Sequence, residues 1–265
     1  MKVQVVDDYE AMSCRAAEII AESIRRQPEI VLGLATGQST IGTYRRLVGI
    51  HEKGLDFSRV RTFNLDEYLG LGLDLRRPYA QDRSFARFMH EEFFRHVNIP
   101  PDQIHIPDGR ADDPEDHCLR YEEQIQEAGG IDLQLLGIGR VGHWAFNEPG
   151  SLLSSRTRVQ RLAPETIKDN YEKFFRPAGL TLADVPRLAL TMGIGTILES
   201  RGLLMIASGP EKAESVARAL EGPVTPQVTA SAIQVFTGPA TVILDREAAS
   251  LLRRQRGHDP EAPQA

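Results

Sequence analysis

Two acids stand side by side at Asp66 and Glu67, closing the apolar-rich stretch Thr62-Phe63-Asn64-Leu65. Consecutive side chains on a strand point to opposite faces, so one acid can enter a pocket while the other makes structural hydrogen bonds. A carboxylate above a sheet is suited to taking a proton from a carbon beside a carbonyl. Two solvated loop acids would give the same letters. The second cluster is Gly139-Arg140-Val141-Gly142-His143-Trp144-Ala145-Phe146-Asn147-Glu148-Pro149, which contains the single tryptophan. Glycines at 139 and 142 permit a tight backbone path around His143. An imidazole there can exchange protons near neutral pH, and Glu148 is expected to orient the ring and raise its pKa. A lone histidine otherwise serves as a satisfied structural residue.

The third cluster is Ala35-Thr36-Gly37-Gln38-Ser39-Thr40. Small and hydroxyl-bearing residues between a strand and a helix suit an anion: Gly37 lets the backbone approach it, and the helix start offers free N–H groups and a positive dipole end. Ser39 and Thr40 can donate to phosphate oxygens, or cap the helix in a turn that binds nothing. Neither G-x-x-x-x-G-K-[ST] nor G-x-G-x-x-G occurs at this turn, so it carries neither a nucleotide P-loop nor a dinucleotide fingerprint.

These clusters need elements to hold them. Strands are expected over 2–6, 29–35, 60–65, 103–106, 131–138, 187–191, 202–208 and 240–245. Helices are expected over 8–26, 41–53, 84–96, 114–128, 164–175, 212–220 and 230–235. The runs EIVLGLA and IDLQLLGI are continuously apolar, the pattern of strands buried on both faces. Strand–helix alternation predicts an α/β protein with a mainly parallel sheet and helices on both faces. Ligands of such sheets bind beyond the carboxyl ends of the strands, where all three clusters fall. With no internal repeat and no long linker, residues 1–255 read as one domain, and the polar stretch 256–265 as a flexible tail.

Bulk composition narrows the function classes. With 41% hydrophobic and 26% charged residues the chain is globular. A net charge of -6 argues against nucleic acid as a partner. Cys14 and Cys118 lie far apart, without ligand spacing, so neither a disulfide framework nor a thiolate metal site is expected. The opening MKVQVVDDYEAM gives no secretory pattern, and no apolar run is long enough for a membrane, so a cytoplasmic location is expected.

In order along the chain, VLGLATGQST (31–40), RTFNLDEYLGL (61–71), SFARFMHEEFFRHVNIP (84–100), GHWAFNEPGSLLSSRTR (142–158) and LTMGIGTIL (190–198) resemble one family, the glucosamine-6-phosphate deaminases or isomerases. The resemblance extends to about Asp245. It implies a Rossmann-like three-layer fold, shared distantly with 6-phosphogluconolactonases and ribose-5-phosphate isomerases. It implies conversion of glucosamine 6-phosphate and water to fructose 6-phosphate and ammonia, without metal or cofactor. By matched position Asp66 is the base that moves the C2 proton to C1 through an enolamine. His143 opens the pyranose ring and Glu148 supports it. Thr36, Gly37, Gln38, Ser39, Thr40 and Lys212 hold the phosphate. Lys173, before Phe174-Phe175, stands where the family carries an Arg.

The chain also departs from the family. Its best-known members read Asn-Asp-Gly-His where this chain reads Arg140-Val141-Gly142-His143. Val141 can neither accept a proton nor orient an imidazole, so His143 is expected to be less basic. General acid–base terms are worth roughly 10²–10⁴ in rate, so partial loss slows catalysis without ending it. An enlargement over 72–83 brings Arg76 and Arg77. Of the family's effector site Ser151 and Arg158 remain while Gln160 and Arg161 differ, so allosteric activation is expected to be weak or absent. Two alternatives stay open: an aldose–ketose isomerase on another sugar phosphate, and a non-catalytic sugar-phosphate binder. Relatives include hexamers and monomers, which leaves a homo-oligomer open.

Overall fold

Strand β9 (Leu203–Ala207) shows how the layers arise. Its side chains alternate between two cores: Leu203, Met205 and Ala207 enter one, Leu204 and Ile206 the other. A strand with both faces apolar needs helices on both sides. In the computed structural model, which describes residues 1–76 and 83–253, it has them. Helices α1 (Tyr9–Arg26) and α2 (Gln38–His51) cover one face, with Met12, Ala16, Tyr44 and Leu47 in that core. On the other face lie α4 (Pro114–Glu127), α6 (Ile194–Leu198) and α7 (Ala213–Glu221), bringing Tyr121, Ile125, Ile197 and Val216.

The sheet has seven strands in the order β1 (Lys2–Val6), β10 (Ala240–Asp245), β9, β6 (Leu133–Leu136), β2 (Val31–Leu34), β3 (Arg61–Asn64) and β5 (Ile104–His105). Every neighbouring pair runs parallel. The three-layer arrangement read from the sequence is therefore the one found. All strands point the same way, so their carboxyl ends, and the three clusters that follow β2, β3 and β6, share one edge.

The sequence reading missed a second, antiparallel sheet of β4 (Asp66–Tyr68), β8 (Leu188–Thr191) and β7 (Arg158–Arg161). The change of sheet happens at Leu65. Its N–H donates to Leu34 O at 3.0 Å, continuing the parallel ladder, while its carbonyl accepts from Met192 N at 2.7 Å. Asp66 therefore lies in a strand rather than a loop.

Several helices are shorter or tighter than their periodicity suggests. α3 (Phe85–Glu92) stops before a 3₁₀ turn at Phe94–His96, and Thr229–Gln234 is 3₁₀ throughout. The run expected over 164–175 is α5 (Pro164–Asn170) continued by a π turn, Tyr171–Phe175. Apolar spacing near helical period does not distinguish these forms, because they differ by one residue in their hydrogen bonds. Arg77 and the expected tail lie outside the described residues. Among the described residues no helix is long and apolar enough to cross a membrane.

Gly109 secures the segment after β4, accepting from Gly70 N at 2.6 Å. A Cβ at this glycine would lie 2.1 Å from Tyr68 O and 2.4 Å from Leu71 O. Gly109→Ala is therefore expected to lower stability by about 1–3 kcal/mol in urea unfolding, as overpacking does. An unchanged midpoint and slope would contradict this account of the joint.

Candidate active site

Beyond β2 the chain turns through Gly37 into α2. No side chain caps that helix and no acid stands in its first turn, which leaves its positive end open to an anion. The turn is closed from within: Thr40 N and Thr40 Oγ1 both donate to Gly37 O, at 3.1 and 2.8 Å. Tyr9 Oη ties the helix start to α1, donating to Gln38 O at 2.9 Å and accepting from Gly42 N at 2.7 Å.

The two acids divide as strand geometry requires. Glu67 accepts from Tyr68 N at 2.7 Å, and from Phe85 N and Ala86 N at 3.0 and 2.8 Å, so it holds the start of α3. Asp66 faces the cleft. Burial, and then the charge of Glu67, push its carboxyl up to about 8, against a hydrogen bond with Thr36 that favours the ionised form.

After β6 the chain enters the loop around His143. Gly139 and Gly142 shape it: Gly142 N donates to Gly139 O at 3.0 Å, and Gly139 N to His143 O at 2.9 Å. A Cβ on Gly139 would stand 2.1 Å from His143 Nε2, so only glycine lets the ring lie against the backbone here. The spacing G-x-G-x-x-G does occur at 137–142, but turns rather than a helix follow it. The helix start that a dinucleotide site uses is therefore missing.

The expected Glu148–His143 partnership needs correction. Glu148 accepts from Ala163 N and Thr166 Oγ1, each at 3.0 Å, and so carries the entry to α5. Its Oε2 stands 3.8 Å from His143 Nδ1, an ion-pair distance but too long for a hydrogen bond. The ring is not made more basic. Burial, followed by the Lys212 charge, drives it down to about 4, with Asp169 acting in the opposite sense. His143 is thus less basic than an ordinary histidine, with desolvation as the leading cause.

Lys212 closes the 3₁₀ turn Pro210–Lys212 and donates through Nζ to Ile138 O at 2.7 Å. Burial is the larger reason that its ammonium falls to about 8, and Lys173 adds to it. Lys173 sits in the π turn. The cleft has a volume of about 190 Å³ and is lined by the whole 36–40 loop together with Asp66, His143, Lys173 and Lys212. Of the predicted site residues, Glu148 alone does not line it, standing behind His143.

Three further side chains hold the His143 loop through contacts that residue order does not show. Asn147 Nδ2 donates to Trp144 O and Met192 O at 3.1 and 2.8 Å, while its Oδ1 accepts from Arg158 at 2.9 Å. Thr191 Oγ1 accepts from Phe146 N at 3.1 Å, and Thr229 Oγ1 donates to Asn147 O at 3.0 Å. Thr191 and Thr229 are remote in sequence from the loop they hold, and nothing local links them to it. Ala145 is the one non-glycine with positive φ among the described residues, at +50°. Its left-handed backbone sits two residues past His143, where tertiary bonds hold the strained path. No group of three or more His, Cys, Asp or Glu gathers as a metal site among the described residues.

The three-layer parallel α/β fold thus carries one polar, cation-lined cleft at the carboxyl edge of its main sheet. Residues 7–247 match the family described as glucosamine-6-phosphate isomerases/6-phosphogluconolactonase. The glucosamine-6-phosphate deaminase of Thermoanaerobacter pseudethanolicus is 44% identical over 253 residues, 95% of each chain. Glucosamine-6-phosphate deaminase 2 of Bacillus subtilis is 46% identical over 255 residues, 96% of this chain and 98% of its own. A solved monomeric glucosamine-6-phosphate deaminase matches with a TM-score of 0.87 at 44% identity, over 95% of this chain and 100% of that one. A Trypanosoma brucei 6-phosphogluconolactonase, at 21% identity and a TM-score of 0.71, shares the fold. The chain belongs to the glucosamine-6-phosphate isomerase/6-phosphogluconolactonase family.

The raised pKa of Asp66 has a consequence for stability. A buried carboxyl titrating at about 8 stabilises the fold fully only below its unfolded pKa near 4, and that contribution is lost as pH rises towards 8. Asp66→Asn, neutral throughout, is expected to melt higher than the parent at pH 8.5, with a smaller gap at pH 5.5. A gap independent of pH would overturn the assignment.

Proposed function

We propose that this chain is a cytoplasmic glucosamine-6-phosphate deaminase, converting glucosamine 6-phosphate and water to fructose 6-phosphate and ammonia. The observation that carries the reading is convergence. A buried carboxyl, a partly buried imidazole and an uncapped helix start with two lysines line one cleft, in a chain 44% identical to a deaminase along 95% of its length.

The substrate phosphate sits on the open start of α2 and between Lys212 and Lys173. Binding energy gathered there positions the far end of the sugar, where the chemistry occurs. His143, neutral above about pH 4, takes the proton of the C1 hydroxyl and returns one to the ring oxygen, opening the pyranose. The imidazolium that forms in between faces the Glu148 carboxylate 3.8 Å away. Ionised Asp66 then removes the C2 proton while the C1 oxygen takes up a proton from the substrate's ammonium group, giving an enolamine. Return of the C2 proton from Asp66 to C1 leaves an imine at C2; water adds to that carbon and ammonia leaves, giving the C2 ketone. The sequence is redox-neutral within the substrate.

A base titrating at about 8 is a better match for a weak carbon acid than an ordinary carboxylate. It also sets the pH profile. kcat/KM should climb from pH 6 towards 8 as Asp66 ionises, where an ordinary carboxylate would give a flat limb.

The deciding assay is ammonia release from glucosamine 6-phosphate. Asp66→Asn should cut kcat by roughly 10²–10⁴ while leaving the fold intact. No ammonia from the parent at high enzyme concentration would sink the reading. A substrate lacking nitrogen that turns over faster than any deamination would shift it to an aldose–ketose isomerase. Val141, in the loop that carries His143, is the feature that favours testing this.

A further inference from the structure

Arg140 has no part in the scheme above, yet it lines the same cleft as Lys173 and Lys212. Its Nη1 donates to Asp169 Oδ1 at 3.2 Å, with the two side chains 56% and 30% exposed. Asp169 stands four residues before Lys173 on the run from α5 into the π turn, and both line the cleft. These groups form one electrostatic cluster with Glu211: Lys173, Glu211, Asp169 and Arg140 all act on Lys212. Three cations and an uncapped helix start face a cleft where Asp169 is the acid bonded to Arg140.

Deepening the deaminase reading, on which it rests, we propose that Arg140 is a third cation for the substrate's phosphate, and that Asp169 is its placeholder, released when the phosphate arrives. Three observations favour the exchange. The pair is joined by an N–H···O contact of 3.2 Å and is partly exposed, a kind of ion pair worth little. A phosphate dianion carries more charge than a carboxylate and offers the guanidinium fork two acceptors at once. Arg140 also sits on the His143 loop and Asp169 on α5, so its partner can change without disturbing either core. Asp169 stays close to the bound anion and works against it.

This arrangement gives the two residues effects of opposite sign, unlike a structural clasp, in which either loss weakens binding. Inorganic phosphate is the probe, titrated calorimetrically into the full chain at pH 7.5. Arg140→Gln should raise its Kd by about threefold to tenfold, and Asp169→Asn should lower it by about threefold. The double variant should bind phosphate more tightly than Arg140→Gln but less tightly than Asp169→Asn, and Arg140→Lys should fall between Arg140→Gln and the parent, keeping the charge but losing the fork. The proposal is overturned if Arg140→Gln leaves Kd unchanged, if Asp169→Asn weakens binding, or if the parent binds no phosphate. The titration needs no turnover. The expected pattern in a protein that releases no ammonia would sink the deaminase reading and leave this one standing.

Discussion

The desolvation of Asp66 beside Glu67 is the constraint around which the site is arranged. Adjacent carboxyls on one strand cannot both be buried and ionised unless one of them is fully compensated. Glu67 accepts three backbone N–H groups and serves as the anchor of α3. Asp66 has Thr36 against a dry wall and a neighbouring negative charge, so it holds its proton until about pH 8. The same burial that disfavours its ionised form makes it a stronger base once ionised. The antiparallel sheet makes this division possible: at Leu65 the chain leaves the parallel ladder, and β4 presents one acid to the cleft and the other to α3.

The other charged groups follow from the same dryness. His143 and Lys212 are both pushed towards their neutral forms, by burial first and by other cations second. An anion arriving among Lys212, Lys173 and Arg140 would relieve that repulsion. The free protein therefore keeps its acid–base groups in an ordering, Asp66 high and His143 low, that suits a carbon acid and a hydroxyl respectively. Asp169 and Glu211 are the protein's own negative charges in that cluster, and the bond of Asp169 to Arg140 links the His143 loop to α5.

The parallel sheet, its helices and the three clusters could be read from residue order because each rests on a local signal. Continuous apolar runs such as EIVLGLA mark doubly buried strands, and a glycine between a strand and a helix marks a turn whose helix start can stay uncapped. The separation of Asp66 from Glu67 follows from pleating alone. The antiparallel sheet was invisible because β4 has three residues and β7 is written Arg158-Val159-Gln160-Arg161, too short and too charged to announce a strand. Part of the Glu148 expectation fails for a related reason: it stands at ion-pair distance from His143 without hydrogen-bonding the ring. Five residues from His143 in sequence, it is the natural partner on paper, yet its oxygens are taken by Ala163 N and Thr166.

Residue order by itself determined the fold class, the edge of the sheet where the three clusters fall, and the candidates: an acid, an imidazole and a loop that line one cleft. Those properties are written in periodicity and in neighbours within a few positions. Tertiary structure alone decided which charges share a dry space, and therefore the pKa of Asp66 and of His143, the task of Glu148, and the meeting of Arg140 with Asp169. Desolvation and Coulomb energies depend on distances through space, and contacts such as Thr191 with Phe146 are made only when remote strands close on one another.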